Sequence, residues 1–367
     1  MERLQVFAVM PCYNEQDVLH DTCMSLGFGP GRTPPAFSHL LLVNNNSLDN
    51  TQSIAEKVRA AAGMENVTIC FEEERGYVPA RRKGNIVVNE LSIGRGWSPK
   101  DVVILQVDAD TAYGVDYINA VRDAFLKVPF NTMVQGTVDY PDQIKQKYKF
   151  FFDCMYEIDD EYSFLSKLDC TNDVLIDDKI ASYRLSDYHF WGGYTQEFTS
   201  AGEEVYAETT RLFLRAKARG AKRLDIGGIS ALHSGRKIEE HPLLSFASGG
   251  FPREASWHRK CSEQMEQYHD ELGIAQMVSS IPNEVIRQRR LHILALLYLL
   301  PTHVQRALGT TMKRRRDIDQ FVIDHLPIKG KSSLEERPGS FLTDVFDMIA
   351  AHGDVLLSLA SQARSIG

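Results

Sequence analysis

The chain has 367 residues, of which 43% are hydrophobic and 25% are charged, which is an ordinary composition for a soluble globular protein. Its formal net charge of −8 argues against a nucleic-acid-binding protein, because such proteins normally carry a basic excess. The length exceeds what one compact core usually needs, so we expect one large domain and a second region.

The six cysteines are scattered, and no two of them form a Cys-x-x-Cys pair. This spacing predicts neither a zinc site nor a disulfide framework and favours a reducing cytoplasm. The first residues lack the basic-then-apolar order of a signal peptide. The longest apolar run near the other end, residues 293–300, stops at Pro301 and is too short to cross a bilayer, so no transmembrane segment is predicted.

Apolar runs alternate with helical patterns over the first half of the chain, as in a sheet covered by helices. The predicted strands are 6–10, 40–43, 67–71, 102–107, 133–138 and 224–229. The predicted helices are 15–26, 47–62, 79–91 and 203–218. This order predicts an α/β fold with a doubly wound, mostly parallel sheet and helices on both faces. The pattern is helical from residue 242, so we predict one domain at 1–241 and a helical C-terminal extension at 242–367.

The predicted strand 102–107 is apolar at nearly every position, which is typical of a strand buried on both faces of a parallel sheet. Asp108-Ala109-Asp110 follows directly, so two carboxylates stand at the carboxyl end of the strand, where open α/β sheets bind ligands. Two hard oxygen ligands there suit a divalent cation that keeps positions open for a diphosphate. The alternative is structural, with Asp108 in a turn and Asp110 as a helix cap.

Three more polar turns follow predicted strands. Pro11-Cys12-Tyr13-Asn14-Glu15 ends the first strand, with Asn14 as a candidate cap for the next helix. Residues 44–51 carry short polar side chains that either cap a helix or read the edge of a nucleobase. Residues 74–82 combine a glycine hinge with arginines that suit phosphate, although arginines at a helix start are also commonly solvated.

The order of these four turns is more specific than any one of them. Pro-x-Tyr-Asn-Glu, an Asn/Ser/Asp/Thr turn, Gly-x-x-x-Ala-Arg and Asp-x-Asp follow successive strands, and this order resembles the family 2 glycosyltransferases over about residues 4–235. The resemblance implies a GT-A fold, a nucleotide-diphosphate sugar as donor substrate, and Mg²⁺ or Mn²⁺ as cofactor. It places the metal on Asp108 and Asp110, and the donor on Pro11, Tyr13, Glu15, Asn45, Arg81 and Asp108. This chain has Asn44 and Asn45 where the family usually has acids, so the nucleotide (UDP, GDP or dTDP) stays open.

The family's next signature is Gly-Gly, then a Glu-Asp pair that opens a helix, then an arginine. Here the corresponding residues are Gly192-Gly193 and Glu203-Glu204, with an arginine at 211 or 215. Ser200 and Glu203 fit a capping box, which would give Glu203 a structural role. We therefore predict Glu204 as the general base that deprotonates the acceptor hydroxyl, with Glu203 as the alternative.

Two histidines are candidates for a third metal ligand. In many relatives within the resembled family, a histidine just past the last strand closes the metal site, and His233 stands there. An imidazole with two carboxylates suits Mn²⁺ and is acceptable for Mg²⁺. His241 is the second candidate, and a structural surface role for His233 is the alternative.

The apolar run 293–300 is flanked by basic clusters at 287–290 and 313–316. A helix with apolar and basic faces can lie on an anionic membrane, and many sugar transferases act there on lipid-linked acceptors. A helical subdomain or a homodimer interface explains the same pattern. We favour packing on the protein itself, because the chain is acidic overall, over peripheral attachment to the inner membrane face.

Together these features predict a metal-dependent inverting glycosyltransferase that moves a sugar, of the hexosyl type, to a hydroxyl of a saccharide or lipid-linked saccharide. One alternative is a sugar-1-phosphate nucleotidyltransferase, but that class has a glycine-rich loop with Arg and Lys after the first strand, which residues 11–15 lack. The other is a catalytically silent GT-A-fold binding or scaffold protein, which the departures from the family pattern leave open.

Overall fold

The computed structural model describes residues 4–168, 174–248, 281–310 and 316–366. They form two compact units. The first comprises residues 1–140, 176–196 and 207–234, and the second comprises residues 141–175, 197–206 and 235–367. The units interleave along the chain, and the domain boundary proposed near residue 241 stays a prediction.

The first unit is built on one mixed sheet. Its strands are β1 (Gln5–Cys12), β2 (Ser38–Asn44), β3 (Val67–Phe71), β4 (Val102–Gln106), β5 (Thr111–Tyr113), β6 (Thr132–Asp139), β7 (Ala181–Arg184) and β8 (Lys222–His233). Among the described residues the strand order is β3-β2-β1-β4-β7-β6-β8-β5. β3, β2, β1 and β4 pair in parallel, as do β6 and β8, whereas β7 is antiparallel to β4 and β6, and β5 is antiparallel to β8.

Helices connect these strands and form the second unit. In chain order they are α1 (Leu19–Ser25), α2 (Thr51–Ala62), α3 (Tyr77–Gly94), α4 (Tyr117–Phe125), α5 (Asp142–Lys147), α6 (Lys149–Leu168), α7 (Leu185–Trp191), α8 (Glu208–Ala218), α9 (Arg236–Glu240), α10 (Pro242–Ser248), α11 (Asn283–Leu294), α12 (Leu300–Ala307), α13 (Asp317–His325), α14 (Lys331–Glu336) and α15 (Gly339–Ile366). A short 3₁₀ helix (Pro99–Asp101) precedes β4, and a π-helix (Ala295–Leu299) joins α11 to α12. The helical pattern expected beyond residue 242 is present in the described part of that region.

The central strands are buried on both faces, because successive side chains point to opposite sides of the sheet. In β1, Val6 and Ala8 join the core cluster beside α1, α2 and α4, whereas Phe7 and Val9 join the cluster beside α3, α7 and α8. All residues of β4 are buried in the same way. The expected α/β sheet with helices on both faces is therefore confirmed.

Gly84 sets the distance between α3 and the sheet. A Cβ at this position would lie 2.3 Å from Cγ1 of Val9, so only glycine lets the helix backbone approach β1 this closely. Arg81 precedes Gly84 by about one helical turn and lies on the same side of α3. The close approach therefore places the Arg81 side chain at the carboxyl ends of the central strands.

The second unit is helical, and a buried arginine forms an ion pair between two of its helices. Arg289 of α11 is 4% exposed and donates hydrogen bonds to both carboxylate oxygens of Asp159 in α6, each at 2.6 Å. Most side chains of the apolar run 293–300 are buried, and the π-helix within it contacts α6 and α15. Residues 313–315 of the second basic cluster lie outside the described residues. Among the described residues, no helix combines the length and the apolar character needed to cross a membrane.

Candidate active site

The turns after β1 and β2 are joined to each other by hydrogen bonds. The backbone N–H of Glu15 donates to Oγ1 of Thr51 at 2.8 Å, and the N–H of Leu48 donates to Oδ1 of Asn14 at 2.8 Å. Asn14 adopts a left-handed conformation with φ 56°. It therefore shapes the turn instead of capping the predicted helix 15–26, and α1 begins only at Leu19.

Two of the predicted donor-binding residues, Pro11 and Tyr13, lie at the carboxyl end of β1. Pro11 is within β1, paired with Val43 of β2. Tyr13 follows the strand with 47% of its surface exposed, and the guanidinium of Arg75 lies 6.0 Å from the centre of its ring. An exposed aromatic ring with a neighbouring cation suits the flat, anionic chemistry of a nucleotide.

Asn45 stabilises the turn after β3 through side-chain hydrogen bonds. Its side chain is buried, and Nδ2 donates to the backbone oxygens of Glu72 at 3.1 Å and Glu74 at 2.7 Å. Asn46 donates to the same turn, at the oxygens of Glu72 and Glu73. Both amide donors of Asn45 are thus engaged within the protein, which gives this residue a structural task beside its predicted role toward a base.

Arg81 is the centre of the site. It is 4% exposed, and all three of its nitrogens donate to side chains of the same unit. Nε donates to Glu208 at 2.8 Å, Nη1 to Gln106 at 2.9 Å, and Nη2 to Asp108 at 2.8 Å and Asp178 at 3.0 Å. The guanidinium therefore ties α3, the end of β4, the segment before β7 and the first turn of α8 together.

Asp108 lies between two cations of the chain. Its Oδ1 accepts from Arg81, and its Oδ2 is 3.8 Å from Nζ of Lys179. Burial and the Asp178 carboxylate raise the pKa of Asp108, whereas Arg81 and Lys179 act in the opposite direction. Its backbone N–H donates to the hydroxyl of Tyr113 at 2.9 Å.

Lys179 is held on the same cluster by several aspartates. Nζ lies 3.7 Å from Oδ1 of Asp177, and the lysine side chain is 15% exposed. Burial acts to lower the pKa of Lys179, but neighbouring carboxylates outweigh it and raise the pKa above its usual range; they belong to Asp177, Asp178, Asp108 and Asp110. The ammonium is therefore charged at neutral pH.

Asp110 and His233 approach each other through the pairing of β5 with β8. His233 stands opposite Thr111 in this antiparallel pair, and Thr111 directly follows Asp110. The imidazole stacks on Tyr140, with ring centres 4.5 Å apart. His233 is the last residue of β8, which is a twelve-residue strand and not the short strand 224–229 that the sequence predicts. His241 lies in the second unit, at the end of α9.

The carboxylates at the end of β4 suit a metal ion that is also bound by a substrate better than a metal ion that is bound by protein side chains alone. Within the described ranges, no three His, Cys, Asp or Glu side chains are grouped closely enough to hold a metal. However, Mg²⁺ commonly uses one or two carboxylates together with substrate phosphates. The cluster also carries an acidic excess, because two cations, Arg81 and Lys179, face five carboxylates: Asp108, Asp110, Asp177, Asp178 and Glu208.

The segment with the two predicted bases is not helical. The backbone N–H of Thr199 donates to the backbone oxygen of Glu203 at 2.8 Å, and Phe198 and Glu204 form an antiparallel β-bridge. Residues 197–206 therefore form a tight hairpin-like turn in the second unit. The capping box proposed for Ser200 and Glu203 is therefore wrong, and so is the helix start at 203. The physical reason is Gly202, which has φ 80° and reverses the chain there.

The helix begins instead at Glu208, and this residue joins the Arg81 cluster. The acidic pair that the resemblance implies at a helix start is therefore not found at this one, which begins with Glu208 and Thr209. Burial and the Asp178 carboxylate raise the pKa of Glu208, against the effect of Arg81. The signal in the sequence was the 208–218 segment, whose apolar and basic residues recur at helical spacing.

Gln106, Asp178 and Lys179 also belong to this cluster, although none of them was predicted from the sequence. Gln106 is fully buried and is the one polar residue of β4, which was a usable signal. Asp177, Asp178 and Lys179 precede the short strand β7, so they form a pattern of carboxylates at the amino end of a strand, which lies beside the carboxyl end of β4. That pattern was obscured because β7 has only four residues and runs antiparallel to β4.

Comparison with known proteins agrees with this geometry. Residues 7–152 match the family model Glycosyl transferase family 2. The match spans β1 to β6, with the turns that carry Tyr13, Asn45, Arg81 and Asp108. It confirms the predicted resemblance to this family and supports a glycosyltransferase. A search of curated proteins finds no match.

Several solved structures are similar to the chain at low identity. A mannosyltransferase from Pyrobaculum calidifontis, in complex with GDP-Man and Mn²⁺, is 14% identical with a TM-score of 0.46, covering 94% of this chain and 86% of that one. S. aureus TarS 1-349 is 11% identical with a TM-score of 0.44, covering 99% and 92%. Glucosyl-3-phosphoglycerate synthase from Mycobacterium tuberculosis, with Mn²⁺, UDP and phosphoglyceric acid, is 12% identical with a TM-score of 0.40, covering 66% and 75%.

Proposed function

We propose that this protein transfers a sugar from a nucleotide diphosphate to an acceptor hydroxyl, with inversion at the anomeric carbon. The observation that carries the proposal is the acidic cluster around Arg81 at the carboxyl end of β4, of which Arg81, Asp108 and Asp110 lie in the segment that matches a glycosyltransferase family. Carboxylates in excess at this edge attract a divalent cation, and a diphosphate then binds to that cation.

We propose Asp110 and Asp108 as metal ligands, with His233 as a third ligand that would join them only when a cation is bound, since the three side chains are not grouped in the described structure. Mn²⁺ or Mg²⁺ bound there would neutralise charge on the leaving nucleoside diphosphate. We propose that Arg81 acts toward the donor mainly through Asp108, because four of its five N–H groups already donate to side chains of the chain. Tyr13 and the turn at Asn45 would bind the nucleoside, with Pro11 and Glu15 shaping that edge.

We propose a glutamate as the general base. Glu204 is the sequence-based candidate and Glu203 its alternative, although the capping argument that separated them no longer applies. Glu208 is a third candidate, since α8 brings it to Arg81 and its pKa is raised by burial. A base must reach the acceptor proton within hydrogen-bond distance, and a raised carboxylate pKa improves proton transfer near neutral pH.

The test measures donor turnover with water or a simple saccharide as acceptor. UDP-, GDP- and dTDP-sugars are offered with Mn²⁺, release of the nucleoside diphosphate is followed, and NMR records the anomer that forms first. Replacing the true base by Gln should lower turnover by about 10²–10⁴-fold while donor affinity survives. The same assay is run on Glu203→Gln, Glu204→Gln and Glu208→Gln, with melting temperatures to exclude unfolding.

Three results would contradict the proposal. Release of pyrophosphate from a nucleoside triphosphate and sugar 1-phosphate would favour the nucleotidyltransferase. Nucleotide binding without turnover of any donor would favour the silent binding protein. A product that retains the donor's configuration would contradict inversion and the single-displacement role of the base.

The acceptor is proposed to be a saccharide or a lipid-linked saccharide. Residues 242–367 supply basic side chains for an anionic surface, at about 1 kcal/mol each when they lie close to it. Salt-sensitive sedimentation with anionic liposomes would support peripheral attachment to a membrane. Absence of pelleting at low salt, with the molar mass of a monomer in sedimentation equilibrium, would contradict both membrane attachment and a homodimer through the C-terminal helices.

A further inference from the structure

Both oxygens of Asp108 face cations that belong to the chain itself. Arg81 takes Oδ1 at 2.8 Å, and the ammonium of Lys179 lies 3.8 Å from Oδ2. The Arg81 guanidinium is fixed by Gln106 and Glu208 as well. Lys179 is different, because its contacts at 3.7–3.8 Å are longer than direct hydrogen bonds.

The backbone of Lys179 is fixed by hydrogen bonds, whereas among the described residues its ammonium makes only the two longer ion-pair contacts with Asp108 and Asp177. The Tyr113 hydroxyl accepts from the Asp108 N–H and donates to the Lys179 carbonyl at 3.0 Å, and the Lys179 N–H donates to Asp177 at 3.0 Å. The stem of the lysine therefore starts at a fixed point beside Asp108. A lysine side chain has four carbons and a mobile head, so the ammonium can move by a few ångströms without disturbing this anchor.

We propose that Lys179 is a resident counter-cation, which a divalent metal must displace from Asp108 and which then binds the donor diphosphate. This inference rests on the proposed function, since it assumes the metal site at Asp108 and Asp110. A metal ion and an ammonium repel each other across one carboxylate, so both cannot neutralise Oδ2 at once. After it leaves Asp108, the Lys179 ammonium forms an ion pair with the negatively charged diphosphate.

The proposal predicts a change in metal affinity that a purely structural lysine would not give. Without nucleotide, Lys179→Met should bind Mn²⁺ about tenfold more tightly, because a competing unit charge beside the metal is removed. With Mn²⁺ present, the same variant should bind UDP or GDP about tenfold more weakly, because the diphosphate loses a charge-assisted contact. A gain in Mn²⁺ affinity together with a loss in nucleotide affinity is the result that distinguishes this role from a purely structural one.

The experiment is calorimetric titration of the full chain with Mn²⁺ alone, and then with UDP or GDP at saturating Mn²⁺. Lys179→Arg keeps the charge and should stay near wild type for Mn²⁺. Lys57→Met, an exposed lysine of α2, is the matched control and should change neither affinity. Lys179→Gln serves as a second neutral variant if Lys179→Met does not fold, as judged by its melting curve.

The outcomes separate this inference from the proposed function. If wild type binds Mn²⁺ and Asp110→Asn does not, but neither neutral Lys179 variant binds Mn²⁺ more tightly, the counter-cation is refuted and the metal site survives. If Mn²⁺ binds to no variant, including wild type, both are overturned. Tighter Mn²⁺ together with unchanged nucleotide affinity would refute the transfer of the ammonium to the diphosphate.

Discussion

Replacing Arg81 with methionine would test whether the site is held together as the structure indicates. The substitution keeps a long side chain but leaves Asp108, Asp178 and Glu208 without their common partner. Arg81 is 4% exposed, and removing one partner of a buried ion pair typically costs about 3–5 kcal/mol. We expect a loss of that size in the free energy of unfolding at pH 7.

The loss should depend on pH in a defined direction. Without Arg81, the carboxyl pKa values in the folded state rise above their unfolded values, so the folded variant binds protons that the unfolded chain does not. Stability then decreases as the pH rises through this range and recovers as the pH falls. Burial already raises the pKa of Asp108 and of Glu208 in the wild type, so these two groups make the stability of the wild type depend on pH in the same direction. The difference from wild type should therefore be smaller at about pH 5 than at pH 7.

The assay is urea unfolding at both pH values, with Arg82→Met as control. Arg82 is the next residue in α3, but its side chain is 37% exposed and pairs with Glu74 at 3.0 Å, so we expect a change below about 1 kcal/mol. Glu208→Gln introduced into Arg81→Met should recover part of the stability. The account is refuted if Arg81→Met costs no more than Arg82→Met, or if its deficit grows on acidification.

Two more substitutions test how the sheet edge is built, each read as the free energy of unfolding. Gly84→Ala should cost about 1–3 kcal/mol, and Val9→Ala in the same chain should recover part of that loss. The control is Gly94→Ala in the same helix, where the added methyl meets no atom within 4 Å and should be neutral or stabilising. Equal effects of the two glycine substitutions would contradict the close approach of α3 to β1. Asn45→Asp should cost about 1–3 kcal/mol, because a carboxylate would face two carbonyl oxygens, whereas Asn50→Asp, where no cap bond is made, should stay within about 0.5 kcal/mol.

The parallel part of the sheet was predictable because its signal is local. The strands that become β1 to β4 have nearly continuous apolar runs, and the predicted bounds of β3 agree with the structure at both ends. The antiparallel part was harder, because β5 and β7 are three and four residues long and give no periodic pattern. β8 was predicted too short, since much of it is exposed at the sheet and carries charged residues.

The candidate site was predictable in its positions but not in its connections. Asp108, Asp110 and Arg81 were found because each follows a strand that can be recognised. Their partners Asp178 and Glu208 lie 97 and 127 residues from Arg81, and nothing in the local sequence indicates such a contact. Gly202 shows the opposite failure: a helical pattern suggested a start at 203, and one residue with positive φ prevented it.

The central claim is that a divalent cation at Asp110 and Asp108 holds the diphosphate of the donor. It is tested most directly by calorimetric titration of UDP and GDP into wild type and Asp110→Asn, each with and without Mn²⁺. The account predicts that at least one nucleotide binds wild type only with Mn²⁺, and that Asp110→Asn loses this binding by tenfold or more. Unchanged, Mn²⁺-dependent affinity in Asp110→Asn would contradict it.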